Sequence, residues 1–429
     1  MRVGLGVFRY LQNTSSNIRP LLRRRINTEC KKTYDVIIVG GGVMGLSSAY
    51  FLAQRLNPSS ICVIERDTKY SQNSTVRSWG SIRQQFSIAE NIQMSKFGFE
   101  FLQNLDDYLG IKGEDSLDVQ FKHGTYCFLS SDAGRSILAE NADIQRSNDV
   151  DISLLSREEL SKKYPWLNTD GVALATNVNR GEGWFDPWLL LCHFKNKISN
   201  MGVQLIGGEV HDVEVNNGRV SKVQLIRSES SSKETLQCGN LVNATGAWAQ
   251  PLAAKLDISL PVRAAKRVTY VVDCPDGFTD AVLLFDTAQN IYLRPESSKQ
   301  FIVAEHPEEE DHSHHDRDFE VDYDYFDTNI WPKLAYRIPA FERLKVTSAW
   351  AGFYDYNILD QNGIISGHPE IENFYFCNGF SGHGIQQSPA VGRAISELII
   401  DKKFKNIDLS RFSFERFKAN NLIIENNII

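Results

Sequence analysis

The sequence predicts an α/β protein in which a Rossmann-type dinucleotide-binding domain is combined with an α+β domain that contains an antiparallel sheet. Three observations support this fold class. Near the N-terminus, two short apolar runs flank a glycine-rich turn and a helix, as in a βαβ unit. Further along, several short segments alternate apolar and polar residues, which is typical of strands with one exposed face. The length of 429 residues suffices for two or three domains.

The βαβ unit comes first in the chain. Residues 35–39 (DVIIV) and 61–65 (ICVIE) are apolar except for Asp35 at the start of the first run and Glu65 at the end of the second, as expected for buried parallel strands. Between them, residues 43–56 combine apolar and small side chains that suit one helix. The order strand, glycine turn, helix, strand is that of a nucleotide-binding start.

Gly40, Gly42 and Gly45 form the pattern GxGxxG between the first strand and the helix. The first glycine permits a tight turn, the second lets backbone approach a pyrophosphate, and the third lets helix and strand pack closely. Glu65 ends the second strand, where an acid binds ribose hydroxyls. The amide groups and dipole of the helix N-terminus favour phosphate. Together these residues predict a dinucleotide site.

Two distant segments bear on whether the dinucleotide is FAD or NAD, because the same fingerprint serves both. Ala244-Thr245-Gly246 ends a further buried strand, which suits a chain that passes close to the adenine and the pyrophosphate. Residues 379–384 (GFSGHG) open a C-terminal helix, whose N-terminus suits the negative edge of a reduced flavin. We therefore favour FAD. An NAD-dependent dehydrogenase is the weaker alternative, which both segments oppose.

Local signals predict the remaining elements. Ser156 to Glu159 fits a capping box, and Asp186 followed by Pro187 predicts a helix that runs to about residue 201. Asn216-Asn217-Gly218 predicts a hairpin turn between two alternating strands. Further strands are expected at residues 268–272, 291–293, 301–303, 346–350 and 374–377, followed by a helix at residues 388–400.

The first 33 residues differ in charge from the rest of the chain. They contain eight Arg or Lys against one Glu, a net charge of +7. Since the whole chain has a net charge of −7, residues 34–429 have a net charge of −14. An Arg-rich, acid-poor start with interleaved apolar residues predicts a mitochondrial transit peptide over residues 1–33. A disordered or lipid-binding basic tail is the alternative. The acidic remainder argues against nucleic-acid binding.

Composition excludes further classes of protein. No run of 18 or more residues is continuously apolar, which argues against a membrane-spanning helix. Seven cysteines are scattered without a CxxC pair, as in a reducing compartment. Residues 305–329 are crowded with acids and contain four histidines, but their spacing defines no ligand set, so we predict a solvated insertion and no metal site.

Several motifs together resemble a known family. They are the GxGxxG fingerprint, residues 183–187 (GWFDP), residues 243–249 (NATGAWA) and residues 379–393 (GFSGHGIQQSPAVGR). This set is similar to the FAD-dependent amine and amino-acid oxidoreductases, the superfamily of D-amino-acid oxidase, sarcosine oxidase and dimethylglycine dehydrogenase. Three further segments resemble a mitochondrial branch of that superfamily. They are residues 81–87 (SIRQQFS), residues 345–364 and the terminal ENNII.

The resemblance covers about residues 34–429 and implies an FAD-binding domain interleaved with a substrate domain. The expected FAD-binding segments are residues 34–95, 182–257 and 346–429, and the expected substrate-domain segments are residues 96–181 and 258–345. It also implies a flavoprotein of the mitochondrial matrix, peripheral to the inner membrane, that assists assembly of respiratory complex I. Its partners would be a small amine or amino-acid substrate and complex I subunits or assembly factors.

The resemblance also implies site residues. FAD contacts are expected at Gly40, Gly42, Val43, Met44, Gly45, Glu65, Arg66, Thr245, Gly246, Gly382, His383, Gly384, Ile385 and Gln386. Arg83 stands where family members hold a substrate carboxylate, with a purely structural arginine as the alternative. Gln386 replaces the lysine that shares this task, so a carboxylate would be held less strongly. Tyr292 and His306 fall near the family's substrate-side tyrosine and histidine, although both also fit ordinary sheet or surface positions.

Reactivity is a further implication of the resemblance. The family's oxygen-activating lysine is absent from residues 301–305, which favours a dehydrogenase that passes electrons to a protein or quinone. No Cys lies in residues 351–356 and no His in residues 74–83, where relatives attach flavin, so we expect noncovalent FAD. The resulting prediction is an amine or amino-acid dehydrogenase. The alternative is an assembly factor in which FAD is structural or senses redox state.

Overall fold

The computed structural model describes residues 32–307 and 318–426. The predicted transit peptide at residues 1–33 lies almost wholly outside this range. So do the last three residues of the ENNII motif and three histidines of the acidic segment, His312, His314 and His315. In the part of the chain that is described, no helix combines the length and the apolar composition needed to cross a membrane.

Strands and helices of the described residues are numbered separately along the chain. The strands are β1 (Thr33–Val39), β2 (Ile61–Glu65), β3 (Ser81–Ile82), β4 (Lys122–His123), β5 (Thr125–Ser130), β6 (Ile152–Leu155), β7 (Leu174–Val178), β8 (Gly183–Trp184), β9 (Gln204–Asn216), β10 (Arg219–Arg227), β11 (Lys233–Asn243), β12 (Val262–Asp273), β13 (Val282–Asp286), β14 (Ile291–Pro295), β15 (Gln300–Glu305), β16 (Lys345–Asn357), β17 (Ile364–Gly367) and β18 (Phe374–Asn378). The helices are α1 (Val43–Ala53), α2 (Ser74–Arg77), α3 (Ala89–Gln103), α4 (Leu105–Leu109), α5 (Arg135–Ser147), α6 (Arg157–Lys163), α7 (Pro187–Met201), α8 (Ala249–Ala254), α9 (Tyr323–Tyr325), α10 (Trp331–Arg337), α11 (Gly384–Asp401) and α12 (Glu415–Lys418).

The first sheet has seven strands that come from three separate parts of the chain. β1 pairs in parallel with β2 on one side and with β11 on the other, and β2 and β11 pair in parallel with β9 and β18. The last four residues of β1 are all buried, because both faces of this parallel region are covered. β9, β10 and β11 continue beyond it as an antiparallel meander. The predicted βαβ start is confirmed.

The second sheet has eight strands in the order β16-β12-β15-β14-β13-β5-β7-β6. All neighbours are antiparallel except β5 and β13, so the predicted antiparallel sheet is present. One strand of this sheet crosses an expected boundary. β16 pairs with β12 along its whole length, so residues 345–357 join the second sheet, whereas a dinucleotide-binding segment was expected from residue 346. Ladder hydrogen bonds, rather than proximity along the chain, decide that membership.

Helices cover one face of the first sheet and position its functional edge. α1, α7 and α11 pack there through fully buried side chains that include Leu46, Phe194 and Ile395. The opposite face packs against the meander and α8. Because β1, β11 and β18 are parallel, the loops after them lie at one edge of the sheet, and α1 and α11 both begin at that edge.

Local sequence signals predicted several element ends correctly. The hydroxyl of Ser156 accepts a hydrogen bond from the amide of Glu159, whose carboxylate returns the contact, so the capping box is present. The Asp186 carboxylate caps α7, with Pro187 at its first position. Asn217 and Gly218 form the two-residue turn between β9 and β10, both with positive φ, as a type I′ hairpin requires.

Candidate cofactor and active site

A cavity of about 400 Å³ lies where the functional edge of the first sheet meets one face of the second. Its walls include the ends of β1, β2 and β11, the starts of α1 and α11, and side chains of β12, β14 and β16. The predicted residues that line it are Gly40, Gly42, Val43, Met44, Glu65, Arg66, Arg83, Thr245, Gly246, Tyr292, Gly382, His383, Gly384, Ile385 and Gln386. Segments more than 300 positions apart in the chain are therefore brought together.

Three glycines shape the turn between β1 and α1, each for a different reason. Gly40 has a φ of +107°, and a Cβ there would lie 2.2 Å from the Ala244 carbonyl oxygen. Gly45 does not line the cavity, since a Cβ at this position would lie 1.9 Å from the carbonyl oxygen of Gly40. It acts in helix–strand packing, as predicted for the third glycine. A Cβ on Gly42 would meet nothing closer than the Thr75 hydroxyl oxygen at 3.3 Å.

The N-terminus of α1 is open toward the cavity. Gly42 is its N-cap residue and offers no side chain to the free amides, although the Val43 amide donates to the Thr75 hydroxyl at 3.2 Å. Asn73 in turn accepts a hydrogen bond from the Thr75 amide at 2.9 Å. Amide donors and the helix dipole make this end an anion site suited to a pyrophosphate. Sequence reasoning missed Asn73 and Thr75, which lie in a short helix with no distinctive motif.

Glu65, predicted to bind a ribose, lies at the end of β2 and lines the cavity. Its carboxylate accepts hydrogen bonds from the amides of Gly41 at 2.7 Å and Asp67 at 2.8 Å. Burial raises the pKa of Glu65, while these two amides oppose the rise. Next to it the Arg66 guanidinium lies 4.1 Å from the centre of the Trp248 ring. The aromatic ring and guanidinium make this end of the cavity suitable for an adenosine.

The opposite end of the cavity is formed by the turn before α11. The Asp355 carboxylate accepts hydrogen bonds from the amides of Gly379 at 2.8 Å and Phe380 at 3.2 Å, and holds the turn against β16. Burial raises the pKa of Asp355 to about 6. Gly382 has a φ of +102°, and a Cβ there would lie 2.4 Å from the Tyr354 ring. A second helix N-terminus, that of α11, therefore reaches the cavity, and its N-cap residue His383 makes no capping hydrogen bond through its side chain.

Arg83 is a buried cation on the cavity wall, only 3% exposed. Its guanidinium donates to the Gln85 carbonyl oxygen and lies 4.1 Å from the centre of the Phe86 ring. In the described residues, no carboxylate lies within 4 Å of it. Burial lowers the pKa of Arg83, and the charges of Glu425 and Glu182 oppose this. An arginine desolvated without an ion-pair partner is disposed to bind an anion.

Gln386 has a different role from the lysine that it replaces. Its side-chain oxygen accepts hydrogen bonds from the Arg83 amide at 2.8 Å and the Ser95 hydroxyl at 3.2 Å. These contacts tie α11 to the segment that carries Arg83. The side chain stabilises the arginine position and adds no second positive charge.

Tyr292 stands in an aromatic wall of the second sheet. Its ring centre lies 4.8 Å from that of Trp79, and burial raises the pKa of its phenol far above the ordinary value, with Tyr354 contributing. The Arg267 guanidinium lies 4.9 Å from the centre of the Tyr354 ring. All four residues line the cavity. Sequence reasoning missed Trp79, Arg267 and Tyr354, because they lie on three segments that are distant from Tyr292 in the sequence and meet it only in the folded chain.

The predicted substrate-side role of His306 is not supported by its position. His306 follows β15, and its amide donates to the Asn290 carbonyl oxygen at 2.7 Å. In the ladder, Ala304 rather than His306 stands opposite Tyr292. Two further residues along a strand correspond to about 7 Å. His306 therefore does not join the residues that line the cavity.

The shape and polarity of the cavity fit FAD. Gly40 and Gly382 allow close turns beside the cavity that a side chain would prevent, and two helix N-termini provide amides for a pyrophosphate and for the electron-rich edge of a flavin. Glu65 provides an acceptor for ribose hydroxyls. The fold and site thus define a dinucleotide-dependent oxidoreductase. The family model described as FAD dependent oxidoreductase (DAO) matches residues 35–398, and the chain belongs to this family.

Individual relatives place the chain more narrowly. It is 44% identical over 423 residues to FAD-dependent oxidoreductase domain-containing protein 1 of Xenopus laevis. The alignment covers 92% of this chain and 85% of that protein. It is 25% identical over 399 residues to sarcosine oxidase subunit beta of Rhizobium meliloti (strain 1021), over 92% of this chain and 91% of that one. Among solved structures, L-proline dehydrogenase from P. horikoshii superimposes with a TM-score of 0.78 at 25% identity, over 92% of this chain and all of the other.

Proposed function

We propose that this FAD-dependent oxidoreductase oxidises a small secondary or tertiary amine that carries a carboxylate, such as an N-substituted amino acid. The observation that carries the proposal is Arg83, a buried guanidinium on the cavity wall with no carboxylate within 4 Å in the described residues. A carboxylate placed there would form a charge-assisted hydrogen bond in a poorly hydrated site. When bound, FAD supplies the two-electron acceptor that amine oxidation needs.

The protein residues bind and orient the substrate in this proposal. Arg83 holds the carboxylate, and Gln386 holds the Arg83 backbone in place. Tyr292 and Trp79 form an apolar wall for a short side chain. Burial keeps the Tyr292 phenol protonated, so it acts as a hydrogen-bond donor. The names sarcosine oxidase and L-proline dehydrogenase, carried by two relatives, both denote oxidation of small amino acids with a secondary amine and support this substrate class.

We further propose a dehydrogenase rather than an oxidase. Residues 301–305 contain no lysine, and the Phe301–Ala304 side chains are all buried and uncharged. A cation beside reduced flavin stabilises the anion formed when oxygen accepts an electron, so its absence from this strand slows reoxidation by oxygen. A protein or quinone would then accept the electrons. Reoxidation in air-saturated buffer should be slow compared with reoxidation by an added quinone, and a fast reaction with oxygen would reject this proposal.

The decisive experiment is an anaerobic screen of N-methylated and cyclic amino acids, read as bleaching of the flavin band. We expect Arg83→Gln to raise the substrate concentration for half-maximal bleaching at least tenfold, because one charge-assisted hydrogen bond is worth about 1.5–3 kcal/mol. Arg180→Gln is the matched control, since Arg180 is an exposed arginine that pairs with Asp151 and does not line the cavity. Equal bleaching by amines that lack a carboxylate would contradict the proposed role of Arg83.

A second function, in the mitochondrion, is proposed from the sequence. The basic segment at residues 1–33 and the resemblance of residues 81–87 and 345–364 to a mitochondrial branch of the family support import into the matrix and a role in the assembly of respiratory complex I. The test is affinity purification of the chain from mitochondria, with complex I subunits and assembly factors as the expected partners. Their recovery with Arg83→Gln as well as wild type would mean that assembly does not require substrate binding.

A further inference from the structure

The C-terminal tail, residues 402–426, is fastened to the cavity side of the molecule by buried polar groups. Arg416 forms a two-point ion pair with Asp360, at 2.6 and 2.9 Å, and both side chains are almost completely buried. The Asn362 amide group donates to the Ile423 carbonyl oxygen at 2.7 Å. Since buried polar groups are costly unless satisfied, this part of the tail has one defined position.

Near its end, the tail places a buried carboxylate behind the cavity. Glu425 is 3% exposed. One of its oxygens accepts hydrogen bonds from the Ser87 amide and hydroxyl, both at 2.6 Å. The other accepts a hydrogen bond from the Asn91 side-chain amide at 3.1 Å. An ionised carboxylate has no hydrogen to donate, so the Asn91 nitrogen, not its oxygen, faces Glu425.

The orientation of Asn91 determines that of its neighbours. Its nitrogen also donates to the Asn362 oxygen at 2.9 Å, so both of its hydrogens are used. The Asn91 oxygen therefore accepts, and the Gln387 nitrogen donates to it at 3.1 Å. The Gln387 oxygen is then the atom that lies 3.3 Å from Nδ1 of His383. An oxygen there can only accept, so the hydrogen of the imidazole must be on Nδ1.

His383 lines the cavity and carries a single ring hydrogen. Burial, together with the charge of Arg83, lowers its pKa to about 4, so the ring is neutral at physiological pH. The Gln361 backbone oxygen also acts on the ring, but less strongly than Gln387. Nε2 makes no hydrogen bond within 3.5 Å to any described residue. The chain of amides therefore favours hydrogen on Nδ1.

We propose that Glu425 is a positioning residue, which sets the tautomer of His383 through Asn91 and Gln387. The tail thereby makes Nε2 of a cavity residue a hydrogen-bond acceptor. Glu425 touches neither the cavity nor a bound molecule and acts only through these side chains. The inference concerns a protonation state, so it is independent of the reaction proposed above.

Replacing Glu425 with glutamine tests whether this carboxylate sets the order of donors and acceptors from Asn91 to His383. The new amide oxygen would still accept from the Ser87 amide, which leaves an NH2 group facing the Asn91 nitrogen. Asn91 cannot turn without losing its contact with Asn362, whose own nitrogen is committed to the carbonyl oxygens of Ile423 and Asp360. Every arrangement then contains one mismatched pair. The preference for hydrogen on Nδ1 should fall, and both tautomers should be populated.

The measurement is ¹⁵N NMR of the FAD-loaded full chain with labelled histidine. The His383 resonances are assigned by their loss in His383→Gln. In wild type we expect a protonated Nδ1 and an unprotonated Nε2, with two well-separated shifts. In Glu425→Gln the two shifts should move toward each other. If this variant does not fold, Glu425→Asp, which withdraws the carboxylate by one methylene, should show a smaller movement in the same direction.

Two further variants separate positioning from general stability. Glu415→Gln is the matched control, since Glu415 is an exposed carboxylate on α12 of the same tail, and its shifts should equal those of wild type. In Gln387→Leu the chain is cut, so adding Glu425→Gln should change the His383 shifts no further. Hydrogen on Nε2 in wild type would overturn the proposal. So would Glu425→Gln or Glu425→Asp that lowers thermal stability while leaving both shifts unchanged.

Discussion

Replacing single glycines of the turn between β1 and α1 with alanine should separate the requirements of FAD binding from those of folding. Gly42 has a φ of −71°, which alanine adopts freely, and an added Cβ would lie 3.3 Å from the Thr75 hydroxyl oxygen and 3.4 Å from the Asn73 side-chain nitrogen. We expect Gly42→Ala to change the free energy of unfolding of the apoprotein by less than about 1 kcal/mol. Gly45→Ala should cost at least about 3 kcal/mol, because its Cβ would lie 1.9 Å from backbone oxygen and a helix would have to move.

FAD affinity should rank the two variants differently. The Gly42 methyl group would stand at the open helix N-terminus where backbone is expected to meet the pyrophosphate. Steric overlap of this kind costs about 1–3 kcal/mol, which corresponds to a dissociation constant roughly 5 to 150 times higher. Gly42→Ala should therefore be folded and weak in FAD binding, whereas Gly45→Ala should be unstable even without cofactor.

Urea unfolding of the apoprotein, followed by circular dichroism, gives the stabilities, and titration of apoprotein with FAD gives the affinities. Gly367→Ala is the matched control, since a Cβ there would lie at an ordinary 3.6 Å from the Tyr375 ring in the same sheet. Wild-type FAD affinity in Gly42→Ala would refute the placement of the pyrophosphate. Equal destabilisation by Gly42→Ala and Gly45→Ala would refute the division of roles between these glycines.

Three other predictions concern charge and cofactor attachment. Burial raises the pKa of Asp355 from 3.8 to about 6. Between about pH 4 and 6 the folded state therefore keeps a proton that the unfolded state has lost. The free energy of unfolding should fall by up to about 3 kcal/mol as pH rises through this window. Asp355→Asn should flatten that slope in urea unfolding, and an unchanged slope would contradict the raised pKa. The ion pair between Asp286 and Arg337 is almost fully buried, so Arg337→Met should cost about 3–5 kcal/mol, and the double variant with Asp286→Asn should recover part of the loss, unlike a pair of independent sites. Acid precipitation should release FAD into the supernatant, because none of the six described cysteines lines the cavity, and a yellow pellet would contradict noncovalent binding.

Part of the site was predictable because it depends on short stretches of chain. Gly40, Gly42 and Glu65 lie within one βαβ unit, whose apolar strands and glycine spacing are visible in the sequence, and the structure places all three on the cavity. Asp186 as an N-cap and the Asn217-Gly218 turn are equally local signals. In such segments neighbouring residues alone specify the backbone geometry.

Other parts of the site could not be predicted because they depend on contacts across the chain. Arg267 and Tyr354 meet through the pairing of β12 with β16, which also places residues 345–357 in the second sheet. His306 lies two residues beyond Ala304, the residue that stands opposite Tyr292, and this register between strands is visible only in the folded structure. A shift of two residues in a strand keeps the face and changes the position by about 7 Å.

The sequence by itself determined the class of protein. The fingerprint of Gly40, Gly42 and Gly45, with the motifs at residues 243–249 and 379–393, identified an FAD-binding fold, because backbone turns around a dinucleotide need particular residues at fixed spacing. Only the tertiary structure decided the surroundings of Arg83 and His383. Burial and the hydrogen-bond chain from Glu425 are set by segments that meet solely in the folded state, and these control charge and protonation in the cavity.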